Sequence, residues 1–389
     1  MSILTLGVPI LALSLISGQL IKTPLGLGGI TLLDLVVTLF SLLFILKLKV
    51  KNIPLTLSPF LVFLSIGFLE LMYSPLELSP NEFINSSFYT VRLLIYAIFG
   101  IAIFHNPFKI KTKSFEIIVY SSLIIAVLGL FQVVFVPDLS FLESNRWDPH
   151  YFRNVSTFLD PNFVGSFYVM GISLLFIFKE KAKSLTFIPF FVVLFLGILT
   201  TFSRSTYLML LISFFLISIF RKSLKTFILT GVLGLALFIG FYFYTQFVTI
   251  PRNIDRQASA SYRFSTWQQG IDIFYKSPIF GVGFNAYKYA IEKYNLGDSQ
   301  FLQARGATSN DSSLLFVLST TGILGALSYL IFLGFIFKIG WKNYQKNNHW
   351  GLFCISIIPP LIFQSFFSNT LFYPAIFLCI LLMISNLSE

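Results

Sequence analysis

Long apolar runs alternate with short polar stretches along the whole chain. A helix needs about 17–25 mostly apolar residues to cross a bilayer. By that measure the pattern predicts helices over 3–20, 30–46, 56–73, 89–105, 116–136, 157–178, 185–202, 205–220, 226–248, 311–337, 350–366 and 369–386. The windows 185–202 and 205–220 are joined by so little that they also read as one broken helix pair. Two polar stretches are long, 137–156 and 249–310, and only the second has a soluble-like composition. Inside it, Phe264, Trp267, Ile271 and Phe274 recur at helical spacing over 262–276. That spacing predicts an amphipathic helix lying on the membrane or over the bundle. Gly281 and Gly283 predict a turn rather than a phosphate cradle, and 285–294 a second short helix. The expected architecture is an all-α polytopic membrane protein of about 12 transmembrane helices. It forms a single membrane domain over 1–389, with 249–310 as a cap between the ninth and tenth spans.

Composition agrees and narrows the classes. The 389 residues are 56% hydrophobic and 11% charged, against about 25% charged in an average soluble domain. So little charge cannot cover a water-facing surface, which argues against a soluble enzyme, a secreted disulfide scaffold and a DNA-binding domain. The net charge of +11 is not a nucleic-acid footprint, because it comes in small clusters between apolar runs. Lys47, Lys49 and Lys51, then Lys109, Lys111 and Lys113, then Lys179, Lys181 and Lys183 fall in every second loop. Arg221, Lys222 and Lys225, and then Lys338, Lys342 and Lys346, continue the series. The positive-inside rule makes that side cytoplasmic and puts both termini there. The first apolar run lacks a basic leader, so it reads as a first helix rather than a cleaved signal. Cys354 and Cys379 read as buried thiols, and His105, His150 and His349 are too scattered for a metal site.

The remaining basic residues differ in kind. Eight of these twelve are Arg, against one in fifteen on the cytoplasmic side. Arginine's planar fork suits phosphate or carboxylate, whereas Lys is a point charge. Pairing with the outer acids Asp138, Glu143, Asp148 and Asp255 is one explanation, and an anionic ligand at the outer face is the other. Charges in or near spans are functional candidates by default. Among them, Glu70 and Arg92 are expected to form a structural ion pair. Asp34 is expected to be solvated or paired with Lys22, and Glu116 to sit beside Lys113. Arg204, Arg263 and Asp311 come from three separate segments on one predicted side. Such a set suits a diphosphate-linked substrate. Two guanidiniums would hold the diphosphate and stabilise its growing charge, and the carboxylate would take a proton from an attacking hydroxyl.

At these residues the sequence resembles the O-antigen polymerase/O-antigen ligase family. The likeness is carried in order by TFLDPNFVG (157–165), TFSRSTYLML (201–210), SYRFSTWQQGIDIFYKSPIFGVGFNAY (261–287) and SNDSSLLFVLSTTGILG (309–325). The resemblance implies a glycosyltransferase of the bacterial cytoplasmic (inner) membrane, with its site facing the periplasm or exterior. Its donor would be an undecaprenyl-diphosphate-linked oligosaccharide, and a chain-length regulator protein is an implied partner. It also implies Arg204 and Arg263 as diphosphate contacts. Family ligases usually carry His eleven residues before the first Gly of Gly-x-x-Gly; counting back from Gly322 gives Asp311. That departure points to a polymerase of a surface polysaccharide (O-antigen, capsule or exopolysaccharide), with a ligase onto lipid A core or protein as the alternative. Asn310 and Ser312 are expected to orient Asp311. Arg153, Arg305, His150, Asp160 and Asn162 are further candidates for glycan or phosphate contacts. Tyr262, Trp267, Phe284 and Tyr287 are candidate sugar-stacking faces. No metal or cofactor is expected, since Arg supplies the positive charge. A secondary transporter is the alternative from another class, but carriers place their polar residues at the midplane. A peptidoglycan glycosyltransferase of the shape and division type would also use a lipid diphosphate, but its motifs are not evident.

Overall fold

Each of the twelve apolar windows holds an α-helix in the computed structural model, which describes residues 3–23, 29–47, 53–106, 108–145, 147–180, 184–250, 256–298, 301–302 and 305–388. These are α1 (Ile3–Ser17), α2 (Leu32–Lys47), α3 (Ser58–Met72), α4 (Pro80–His105), α5 (Ser114–Phe135) and α6 (Pro161–Ile177). Then come α7 (Ser184–Thr201), α8 (Arg204–Phe220) and α9 (Leu224–Tyr244). The long polar segment contributes α10 (Arg256–Lys276) and α11 (Tyr287–Lys293), and α12 (Ser313–Gln345), α13 (His349–Gln364) and α14 (Pro374–Ser385) follow. Among the described residues, α4, α5 with the turn before it, α9 and α12 are long and apolar enough to cross a bilayer, and the other eight are shorter apolar helices. A two-residue β-ribbon, Lys22–Thr23 paired antiparallel with Ile30–Thr31, closes the α1–α2 connection.

Many consecutive helices pack against one another, while α2 packs on α4, α12 on α3 and α13 on α8. Helices α6, α13 and α14 are buried along nearly their whole length, so they form the centre. Helix α9 lies at the edge with most of its surface open. Cys354 and Cys379 are buried free thiols inside this packing, as expected. Helix α4 starts at Pro80, earlier than the apolar window 89–105, because Ser79 and Glu82 form a reciprocal capping box. Hydropathy does not register that polar first turn.

The charges within the helices pair differently from expectation. Arg92 bonds Asp34 at 3.1 Å, not Glu70. Asp34 also accepts from the Thr31 amide at 2.8 Å and the Tyr96 hydroxyl at 3.1 Å, while Lys22 bonds Gln19. The reason is which helices pack: α4 presents Arg92 to α2. Gly67 on α3 faces Phe284, and Ser74, just past the end of α3, bonds the Val282 carbonyl. Glu70 is buried, and its carboxyl oxygens have no hydrogen-bond partner among the described residues. Glu116 does pair with Lys113, at 2.8 Å.

Helix α12 is broken at Gly322, where φ is 56° and ψ is −163°. The turn after α10 fills the break: the Gly283 amide donates to the Thr320 carbonyl at 2.9 Å, and the Ile323 amide donates to Pro278 at 2.9 Å. A Cβ on Gly322 would stand 2.3 Å from the Ile279 carbonyl oxygen, and one on Gly281 would stand 2.4 Å from Thr320 backbone. The two glycine motifs are thus halves of one backbone joint. Gly322→Ala is expected to destabilise the protein by about 2 kcal/mol or more, from left-handed strain plus a backbone clash. Thermal unfolding of the detergent-solubilised variant should show a clearly lower Tm; an unchanged Tm would contradict the joint.

Candidate active site

The turn between α7 and α8 aims Arg204. Phe202 adopts a left-handed φ of 46°, and the Ser203 side chain caps α8 by accepting from the Thr206 amide. Neighbouring segments grip this turn. Arg153 Nε donates to the Thr201 carbonyl at 2.9 Å, and the Asn154 amide donates to Thr200 at 2.8 Å. Asn162 Oδ1 accepts from Ser203 Oγ at 2.7 Å and from Ser205 Oγ at 3.4 Å. Asp160 in turn caps α6, accepting from the Asn162 amide at 2.7 Å and the Phe163 amide at 2.9 Å. Arg204 therefore opens a helix, a position where the dipole disfavours a cation and favours an anion.

Arg263 approaches from α10. With Arg204, Ser205, Leu208, Phe264, Trp267 and Phe367 it lines one cavity of about 220 Å³. Among the described residues neither guanidinium forms an ion pair with an acid. Trp267 is held in the wall by donating its indole N–H to the Phe366 carbonyl at 3.1 Å. Apolar walls strengthen the field of two cations on any anion that enters.

Asp311 lies just ahead of α12, between the fully buried Asn310 and Ser312. Asn310 Nδ2 donates to the Thr266 carbonyl and, at 2.9 Å, to the Tyr287 hydroxyl; its Oδ1 accepts from the Ser312 backbone amide at 2.8 Å. Ser312 caps α12. Burial pushes the Asp311 carboxyl up to about 6; the Arg263 charge and the Thr266 hydroxyl work against that rise, while Asp148 and Asp160 add to it. Arg263 thus links both halves of the site, lining the cavity with Arg204 and acting on Asp311. Burial also raises Asp148 and Asp160, and the Arg153 guanidinium pulls each back. Burial, with the charges of Asp311 and Asp148, pushes the Tyr262 hydroxyl up to about 12.

Two expectations fail here. Phe284 and Tyr287 are not sugar-stacking faces: each is 1% exposed. Phe284 packs between Phe63 and Phe316, and the Tyr287 ring lies against Phe316. Among the described side chains of α10 the buried residues are Thr266, Gln269, Gly270 and Ile273, while Phe264 is 65% exposed. The helix thus docks through its small and polar face, where Thr266 and Gln269 reach Asn310 and Leu296; of its aromatics Phe264 is exposed, while Trp267 packs on the segment at Phe366 and Phe367. Trp267 lines the cavity and Tyr262 remains exposed. His150 is buried, with its carbonyl accepting from the Leu139 amide. The side chains of Arg305 and Arg256, and residues Arg146, Arg252 and Asp255, lie outside the described residues. The sequence does not mark Ser205, Leu208 or Phe367 as site residues, and it marks Phe264 only through the helical spacing of apolar positions. Phe367 sits in the α13–α14 connection, where no motif marks it.

The bundle is all-helical and strongly apolar, as in a membrane protein, and two arginines line one of its cavities. Residues 189–330, which contain Arg204, Arg263 and Asp311, match the family model described as O-antigen ligase. That match spans 142 of the 389 residues, and over it the chain is similar to the O-antigen polymerase/ligase family, whose members are glycan-transferring enzymes. No curated protein matches the chain.

Proposed function

We propose that the protein is a polymerase of a bacterial surface polysaccharide. It transfers an undecaprenyl-diphosphate-linked glycan to another lipid-linked repeat unit at the outer face of the cytoplasmic membrane. The observation that carries this reading is the shared cavity of Arg204 and Arg263, with the Asp311 carboxyl inside the field of Arg263. In the reaction an acceptor sugar hydroxyl attacks the anomeric carbon of the donor. The new glycosidic C–O bond forms as the bond to the diphosphate breaks. Asp311 takes the hydroxyl proton and later releases it to water. Arg204 and Arg263 hold the departing diphosphate, whose charge rises as the bond cleaves. Asn310 and Ser312 act as positioning residues through the bonds that fix the backbone on either side of Asp311.

Deleting the gene in its host separates polymerase from ligase. A polymerase is expected to leave single repeats still attached to the acceptor on a glycan gel. Lipid-linked polymer accumulating beside a bare acceptor would instead assign the ligase reaction.

A further inference from the structure

The arginine cavity is not the only opening along α8. A second, apolar groove of about 420 Å³ lies between α8 and α9, lined by Leu211, Ile212, Phe215, Phe227, Thr230, Gly231 and Gly234. Arg204 and Leu208 belong to the first cavity, while Leu211, Ile212 and Phe215 belong to the second. These positions fall on one face of the helix at intervals of three and four residues. From Arg204 to Phe215 that stripe runs about 16 Å along the axis, at about 1.5 Å per residue. A cationic mouth and an apolar trough therefore lie in line along a single face of α8. The trough exists because α9 carries glycines where it meets α8. A Cβ on Gly231 would meet nothing within 4 Å, and one on Gly234 would touch only Leu211.

We propose that the α8–α9 groove binds the isoprenoid tail of the lipid diphosphate whose headgroup sits between Arg204 and Arg263. This deepens the reading given above and rests on it. The occupant follows from continuity with the cationic cavity: an amphiphile whose anionic head lies there leads its chain down the same α8 face. An ordinary phospholipid offers the arginines one phosphodiester charge where the lipid diphosphate offers two phosphates, and the two sources are separated by competition.

The test is photolabelling of the full chain in nanodiscs with undecaprenyl diphosphate carrying a diazirine on its tail. Label should fall in α8 and α9 peptides and be displaced by unlabelled undecaprenyl diphosphate. Gly231→Leu adds a side chain into open space, so it should fold normally and lower that labelling about tenfold by filling the groove. Displaceable label on other helices would overturn the groove and leave the headgroup reading intact. So would equal labelling by a tail-diazirine phosphatidylglycerol, which would make the groove a bilayer-facing furrow. Should Arg204→Ala combined with Arg263→Ala leave the displaceable label unchanged, the headgroup reading fails instead, while the groove assignment stands. Wild-type labelling is read alongside the variants, so the inference does not depend on any one variant folding.

Discussion

Asp311→Asn is expected to lower glycan transfer by about 10²–10⁴-fold, the range of a positioned general base, with the protein still folded. Asn keeps the shape and the acceptor oxygen but cannot take a proton. The pH profile supplies the sharper readout. The Asp311 carboxyl is pushed up to about 6, and only its ionised form serves as base. Transfer should therefore rise with pH through about 6 and level off above it, and the Asn variant should lack that limb. Arg263 holds the carboxyl down, so removing that charge should move the limb to higher pH. The stability contribution has the opposite sense to the rate. An acid whose folded-state value is raised favours folding below its ordinary value of about 3.9 and loses that contribution as pH rises through about 6. Initial rates with purified lipid-linked donor decide the matter, and full transfer by Asp311→Asn would falsify the general-base role.

Arg204→Ala and Arg263→Ala are each expected to cost about 10²–10³-fold in rate, the loss typical of removing one preorganised donor from a developing anion. The two should not add independently, since both line one cavity and act on one diphosphate. Lysine in either place keeps a charge but not the planar fork, so Arg263→Lys should recover only part of the rate. Because Arg204 opens α8, where the dipole works against a cation, its replacement by Ala should leave the Tm unchanged or slightly raised. A fall in rate without a fall in Tm is the signature of a ligand-directed charge. Normal polymer made by Arg263→Ala at normal abundance would remove Arg263 from the site.

Much of this was legible in the chain, for identifiable reasons. Apolar run length reports helices directly, and each predicted window contains one. Arginines concentrated outside the lysine clusters single out Arg204 and Arg263 as candidates from the sequence alone. The Asp34–Arg92 pair was misread because hydropathy gives a residue's place along a helix but not the direction it faces. Phe284 and Tyr287 were misassigned for a related reason: an aromatic in a polar segment looks available until a core closes over it. On α10 the apolar spacing was read correctly, but close docking selected the small face carrying Thr266 and Gly270.

Local chemistry in the sequence thus determined the helices, their caps and the residue types able to bind a diphosphate, because each depends on neighbours only a few positions away. Only the tertiary structure decided that Arg204 and Arg263 share one cavity, that Arg263 reaches the carboxyl of Asp311 through its field, and that the turn at Pro278–Gly283 seats in the break at Gly322. Those facts join segments tens of residues apart. They arise from how helix faces pack and which backbone groups need partners, and such pairings have no period along the chain.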